Sequence, residues 1–198
     1  LYREDQFYLS VTYNALINLP DNVSQNSFST GIHLGAIRDF PLNKQRTIAL
    51  GLGFGYSFNS FNQNIKVSGS SPSTYTILED SNFSKNNFTL HFLEIPIEFR
   101  WRTSNSERYK FWRLYTGLKM GYLIASKSVF NDASGSDNHK NLTDLNRLQY
   151  GLTMSVGYNT WNGYVYYGLN PLFDSVSTTD LQPIDMTALK IGLIFYIL

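Results

Sequence analysis

The 198-residue chain is 42% hydrophobic and 16% aromatic but only 16% charged, against roughly 25% charged for an average soluble domain. Sixteen Lys and Arg against 15 Asp and Glu leave a formal net charge of +1, which excludes the basic field a nucleic-acid partner requires, and the aromatic load excludes disorder. With no Cys, disulfide frameworks, thiolate zinc sites, iron–sulfur clusters and cysteine nucleophiles are excluded together.

Hydrophobicity alternates with a period of two through eight segments of about 10–14 residues, the pattern of strands with two unlike faces. The first sets Phe7, Leu9, Val11, Tyr13, Ala15 and Ile17 against Tyr8, Ser10, Thr12 and Asn14. The second sets Phe28, Ile32, Leu34, Ala36 and Phe40 against Ser29, Gly31, His33 and Gly35. In the third, Ile48, Leu50, Leu52, Phe54, Tyr56 and Phe58 oppose Ala49, Gly51, Gly53, Gly55 and Ser57. The fourth changes phase: Phe88, Leu90 and Phe92 are even, whereas Leu93, Ile95, Ile97, Phe99 and Trp101 are odd. An extra residue near Phe92, a β-bulge, is expected there, with Glu94, Pro96, Glu98 and Arg100 on the polar face. The fifth sets Trp112, Leu114, Leu118, Met120, Tyr122 and Ile124 against Arg113, Tyr115, Gly117, Lys119 and Gly121. The sixth sets Leu148, Tyr150, Leu152, Met154, Val156 and Tyr158 against Gln149, Gly151, Thr153, Ser155 and Gly157. The seventh sets Val165, Tyr167 and Leu169 against Tyr164, Tyr166, Gly168 and Asn170, and the eighth Leu189, Ile191, Leu193, Phe195 and Ile197 against Ala188, Lys190, Gly192 and Tyr196.

The connections alternate in length. Leu42 to Arg46, Thr103 to Lys110 and Asn159 to Gly163 are short turns, whereas 18–27, 60–87, 127–146 and 174–185 are long and polar. Short turns and both chain ends on one rim, with long loops on the other, describe one domain over residues 1–198. Its expected architecture is an all-β, eight-stranded, antiparallel up-and-down transmembrane barrel. No run reaches the roughly 18 consecutive apolar residues of a membrane-spanning helix. The first residue, Leu1, and the lack of a basic-then-apolar leader suit a processed chain without showing export.

A soluble barrel would share this period with its apolar face inward, so the polar face decides between the two. On a soluble barrel it would carry charges at roughly 25–35% of positions. Here about eleven of the 14 glycines lie on it, among Ser, Thr, Asn and Tyr, as suits a crowded, narrow lumen. The opposite face is nearly free of charge and collects aromatics near the strand ends, as contact with lipid demands.

Chemistry-bearing residues are few. Glu94, Glu98, Arg100, Arg113 and Lys119 are expected to face one another in the lumen as a structural charge network. With the turn centred near Ser106, Glu94 falls about opposite Lys119 and Glu98 within a step of Arg113. A paired-carboxylate acid/base site is disfavoured, because basic partners hold both carboxylates ionised. Of the three histidines, His33 faces the lumen, His91 lies near the loop end of its strand and His139 lies in a loop beside Asp137. No two of them share a strand at metal-ligand spacing, and no Ser is singled out as a nucleophile. No catalytic residue, cofactor or metal is therefore expected. Gly51, Gly53 and Gly55 lack the helix of a phosphate loop and read as bare inner wall. In the 60–87 loop, Ile65, Val67, Tyr75, Ile77 and Phe83 form a candidate partner-binding surface, the alternative being a hairpin that caps the barrel.

The stretch Leu93-Glu94-Ile95-Pro96-Ile97-Glu98-Phe99-Arg100-Trp101, followed by Leu114 to Tyr122 with its Tyr-Thr-Gly and Gly-Tyr pairs, resembles adjacent strands of the PorT-like outer-membrane β-barrel proteins of Bacteroidetes. The resemblance implies an eight-stranded outer-membrane barrel with periplasmic termini and extracellular long loops, non-enzymatic, accessory to an outer-membrane complex such as the type IX protein secretion machinery. Its partners would be outer-membrane lipid and other outer-membrane or periplasmic proteins. Aromatic closure of the last strand falls on Phe195 and Tyr196, but the chain runs on to Ile197 and Leu198, a departure from the family pattern. A stand-alone barrel with ligand-binding or envelope-supporting loops is the alternative, and a lipid-modifying barrel enzyme a third reading. Asp174-Ser175-Val176 resembles the short O-glycosylation acceptor of Bacteroidetes, which makes Ser175 a candidate modification site.

Overall fold

A computed structural model describes residues 5–25, 27–69, 73–78, 83–103, 111–133 and 135–197. The eight alternating segments form β1 (Asp5–Ile17), β2 (Thr30–Pro41), β3 (Ile48–Asn62), β6 (Lys85–Arg102), β7 (Trp112–Asp132), β9 (Leu148–Tyr158), β10 (Trp161–Gly168) and β11 (Thr187–Ile197). Each pairs antiparallel with its neighbour around the ring, and both β6–β7 and β1–β11 pairing close it. The result is a closed, eight-stranded antiparallel barrel with no exposed edge in its wall. Three short strands lie in the long loops: the hairpin β4 (Ile65–Ser68) and β5 (Thr74–Ile77), and β8 (Gly135–Lys140), which pairs with the extended end of β7.

The apolar faces point outward. Phe7, Phe28, Phe54 and Trp161 are 67%, 72%, 58% and 64% exposed, whereas Ser10, Thr12, Asn14 and Ser57 on the opposite faces are buried. An apolar surface of this extent suits a bilayer and would be a liability in water. Trp101, Trp112 and Trp161, the chain's three tryptophans, all lie at the short-turn end. Trp112 packs on Tyr158 at 5.2 Å and Trp161 on Phe195 at 5.4 Å. Tyr13 with Phe28, and Tyr56 and Phe58 with His91, mark the other rim. Two aromatic belts with an aliphatic band between them are the outline of a membrane-spanning barrel.

The phase change resolves differently from the sequence-based expectation. Even-numbered residues of β6 face inward along its whole length, so Phe88, Leu90 and Phe92 line the lumen, not the lipid. The register with β7 does shift between His91 and Phe92, which pair with Ala125 and Leu123. The unpaired residue is Ile124 of β7, and beyond it Ser126, Ser128 and Phe130 turn inward. The turn from β9 to β10 is also tighter than expected: Tyr158 pairs directly with Trp161, and Asn159 takes a positive φ of 59°, a conformation Asn tolerates.

Candidate functional site: a filled lumen under a folded lid

The lumen has two zones. Towards the short-turn end it is charged. Arg100 Nη1 lies 2.6 Å from Asp39 Oδ1 and its Nη2 2.9 Å from Glu98 Oε2, while Arg102 Nη2 lies 2.8 Å from Asp39 Oδ2. Arg100 also donates to Gln6 Oε1 at 3.0 Å, and its guanidinium stacks over the rings of Tyr115 and Tyr196 at 4.5 and 4.8 Å. Gly51 makes this possible: a Cβ there would come within 2.8 Å of Arg100 Nε. Higher in the barrel, Glu94 pairs with Lys119 at 3.2 Å and with His33 Nδ1 at 3.1 Å. Because a carboxylate only accepts, that His33 nitrogen carries the proton.

Of the five residues expected in one network, four line the lumen, in two groups: Arg100 with Glu98, and Lys119 with Glu94. Arg113 does not join them. It pairs across from Arg102, and its guanidinium stacks on Phe111 at 4.6 Å. The β6–β7 register differs from the expected one by two residues, with Glu94 opposite Gly121 and Lys119 opposite Pro96; the turn near Ser106 lies outside the described residues. Asp39, Arg102, Gln6 and His33 are the members that sequence reasoning missed. Continuing the alternation of the second segment past Gly35 to Ile37 and Asp39 would have found the central carboxylate.

Towards the other rim the lumen is apolar and closed by a lid. Ile65, Val67 and Tyr75, expected on a partner-binding surface, are fully buried with Phe61, Phe88, Phe173, Ile184 and Met186. Tyr75 packs edge-on against Phe173 at 5.4 Å and donates its hydroxyl to Asp144 Oδ2 at 3.0 Å. Burial, reinforced by the Asp144 carboxylate, raises the Tyr75 phenol above the usual tyrosine range. Ile77 is partly buried against the same core, and Phe83 packs on Phe130. Their apolar character is thus used inside the molecule, because a hairpin without its own core must bury that face against the barrel mouth. Asn64 fastens the hairpin, accepting from Ser24 N at 2.9 Å and donating to Asn22 O and Leu78 O. The 174–185 loop folds over it, with Thr179 N donating to Tyr75 O at 2.9 Å. Ser175 is exposed, with a φ of 51°.

Thr12, His33 and Glu94 stand in the order of a nucleophile, a base and an orienting carboxylate. The arrangement is unsuited to attack: Thr12 Oγ1 gives its proton to Asn14 Oδ1 at 2.8 Å and lies 3.4 Å from His33 Nε2, and all three side chains are sealed in the wall. Among the described residues no three His, Asp or Glu side chains converge as metal ligands.

Known proteins give two similarities. The attachment invasion locus protein Ail of Yersinia pestis, seen in a crystal structure, is 12% identical, with 99% of each chain covered and a TM-score of 0.45. No match was found among curated proteins. The family model for the outer membrane protein beta-barrel domain matches residues 1–174. By the closed barrel, the apolar outer band and this match, the chain belongs to the outer membrane protein beta-barrel domain family and is a protein of the bacterial outer membrane.

Proposed function

We propose that this protein is a non-enzymatic, non-conducting outer-membrane barrel that serves as an accessory or structural subunit of an outer-membrane protein complex, of the type IX secretion and assembly kind to which its PorT-like strand points. The observation that carries this reading is the doubly blocked lumen. Arg100, Asp39 and Arg102 fill one level, and the hairpin with Tyr75 fills another. A substrate has no path through such a barrel, and the carboxylates at its centre are each paired with a buried cation, so function falls to the lipid-facing wall and the parts outside the membrane. In the proposed orientation the short turns and termini are periplasmic and the lid extracellular.

Affinity purification in mild detergent followed by mass spectrometry tests it. Stoichiometric recovery of other outer-membrane or periplasmic proteins is expected, and recovery of the barrel alone would overturn the reading. A stand-alone barrel with a ligand-binding rim is the second reading. It is favoured by β8, which among the described residues forms the outer edge of the extension beyond the barrel, with Ser136, Asn138 and Lys140 exposed. In that case deleting residues 133–141 abolishes binding while the barrel stays monomeric. For Ser175 the proposed modification is a sugar, seen as added intact mass that the Ser175→Ala variant lacks.

A further inference from the structure

Among the described residues, the buried charges of the lumen do not balance. Among the described buried side chains, Arg100, Arg102, Lys119 and Lys190 are cationic, against the carboxylates Asp39, Glu94 and Glu98. Arg100, Arg102 and Lys119 each pair with a carboxylate; among the described residues Lys190 has none within ion-pair distance. Its ammonium lies over aromatic faces, 4.9 Å from the Tyr166 ring centre and 5.8 Å from that of Phe92, and Glu94 on the same cavity wall acts on it only from beyond ion-pair distance. A lone charge removed from water costs several kcal/mol, more than roughly 2 kcal/mol of cation–π attraction offsets.

Lys190 and Lys119 line the same small cavity, about 20 Å³ in volume, at the boundary between the charged and apolar zones. That is room for a single small occupant. Gln149 is also on its wall, but its amide is already committed to Asn146 O and Pro171 O. Glu94 faces the cavity too, with its charge balanced by Lys119 and its oxygens held by the His33 ring N–H. We propose that this cavity binds one small monovalent anion of halide size, held between the ammonium groups of Lys190 and Lys119. Oxyanions such as phosphate are excluded by the small volume of the cavity. The anion brings the charge of these described side chains to zero and gives Lys190 the close counter-charge that the other three cations already have.

The test uses the refolded full chain in detergent. Crystals grown or soaked in sodium bromide are expected to show an anomalous peak in the cavity, within about 3.5 Å of Lys190 Nζ, as a charge-assisted contact requires. In solution, replacing gluconate by bromide at constant ionic strength is expected to raise the unfolding midpoint by about 3 °C for each tenfold excess over the dissociation constant. The Lys190→Met variant should lose both effects. A wild-type cavity holding only water in bromide, with a midpoint indifferent to halide, overturns the proposal, as does a peak that persists in Lys190→Met. The wild-type measurements decide the matter even if the variant does not fold.

Discussion

Arg100 and Asp39, 61 positions apart in the chain, meet at 2.6 Å with neither side chain exposed. The pair ties β2 to β6 across the lumen, over the backbone of the intervening β3. Its neighbours are charged as well, so Arg100 is shared between Asp39 and Glu98 while Asp39 is shared between Arg100 and Arg102. Removing Arg100 leaves two carboxylates against one remaining guanidinium. Arg100→Met is expected to cost about 3–5 kcal/mol, the range for breaking a buried pair from one side. In Asp39→Asn/Arg100→Met the loss should be smaller than the sum of the single losses. Urea titration of the folded fraction in detergent, read by the shift in gel mobility on boiling, gives all three values.

Gly51 is the recess into which Arg100 fits, since a Cβ there would also lie 3.1 Å from Arg100 Cδ and 3.2 Å from Ile37 Cδ1. Gly51→Val is expected to destabilise the barrel by about 1–3 kcal/mol through overpacking. The diagnostic is non-additivity: in an Arg100→Met background the same change should cost clearly less. An equal cost in both backgrounds would place the clash elsewhere.

Tyr75 separates the lid's packing from its polar anchor. Tyr75→Phe removes only the bond to Asp144 and should cost about 0.5–1.5 kcal/mol. Tyr75→Ala removes the ring that packs on Phe173 and should cost about 3–5 kcal/mol. That loss is expected to be confined to the lid, so limited proteolysis should cut between residues 63 and 78 while the trimmed barrel keeps its boiling-dependent mobility shift.

How much of this was legible in the sequence depended on which zone a residue occupies. In β1 and β9 one face is apolar and the other small or polar, so alternation alone oriented both strands. In the upper half of β6 both environments are apolar: lipid outside, and the lid's core against Phe88, Leu90 and Phe92 inside. Hydrophobicity there cannot tell the two apart, and the extra residue was assigned to β6 although it is Ile124 of β7. The same ambiguity left Ile65, Val67 and Tyr75 between a docking surface and a hairpin that caps the barrel, and their burial fits the cap. Glu94, Glu98, Arg100 and Lys119 were found because a charge on a membrane strand has only the lumen to face. Their grouping was missed because it depends on register, which the turn between β6 and β7 sets and composition does not encode. Asp39 was lost by ending the second segment's polar face at Gly35.

The two levels of filling make a combined prediction about conduction. Reconstituted in a planar bilayer, the protein should give no stepwise currents. Deleting residues 65–78 should leave it closed, because the layer of Arg100, Asp39 and Arg102 lies beneath the lid. Steady current steps in the lid deletion alone would make the lid the sole barrier.

The seam between β1 and β11 runs from Phe7 opposite Ile197 to Ile17 opposite Thr187. Neither strand has another partner on that side until the whole chain between them has been threaded into place. Until the seam closes, an arc of strands would offer its unpaired amides and its buried charges to hydrocarbon, so partial insertion has no resting state. Closure of this seam is therefore what removes the last open edges of the wall. Because the strands that meet there are neighbours in the ring, the cyclic order of the strands does not depend on where the chain opens: a covalent link between the ends of β1 and β11, with a new opening at the turn of Asn159 and Thr160, would yield the same wall from a permuted chain.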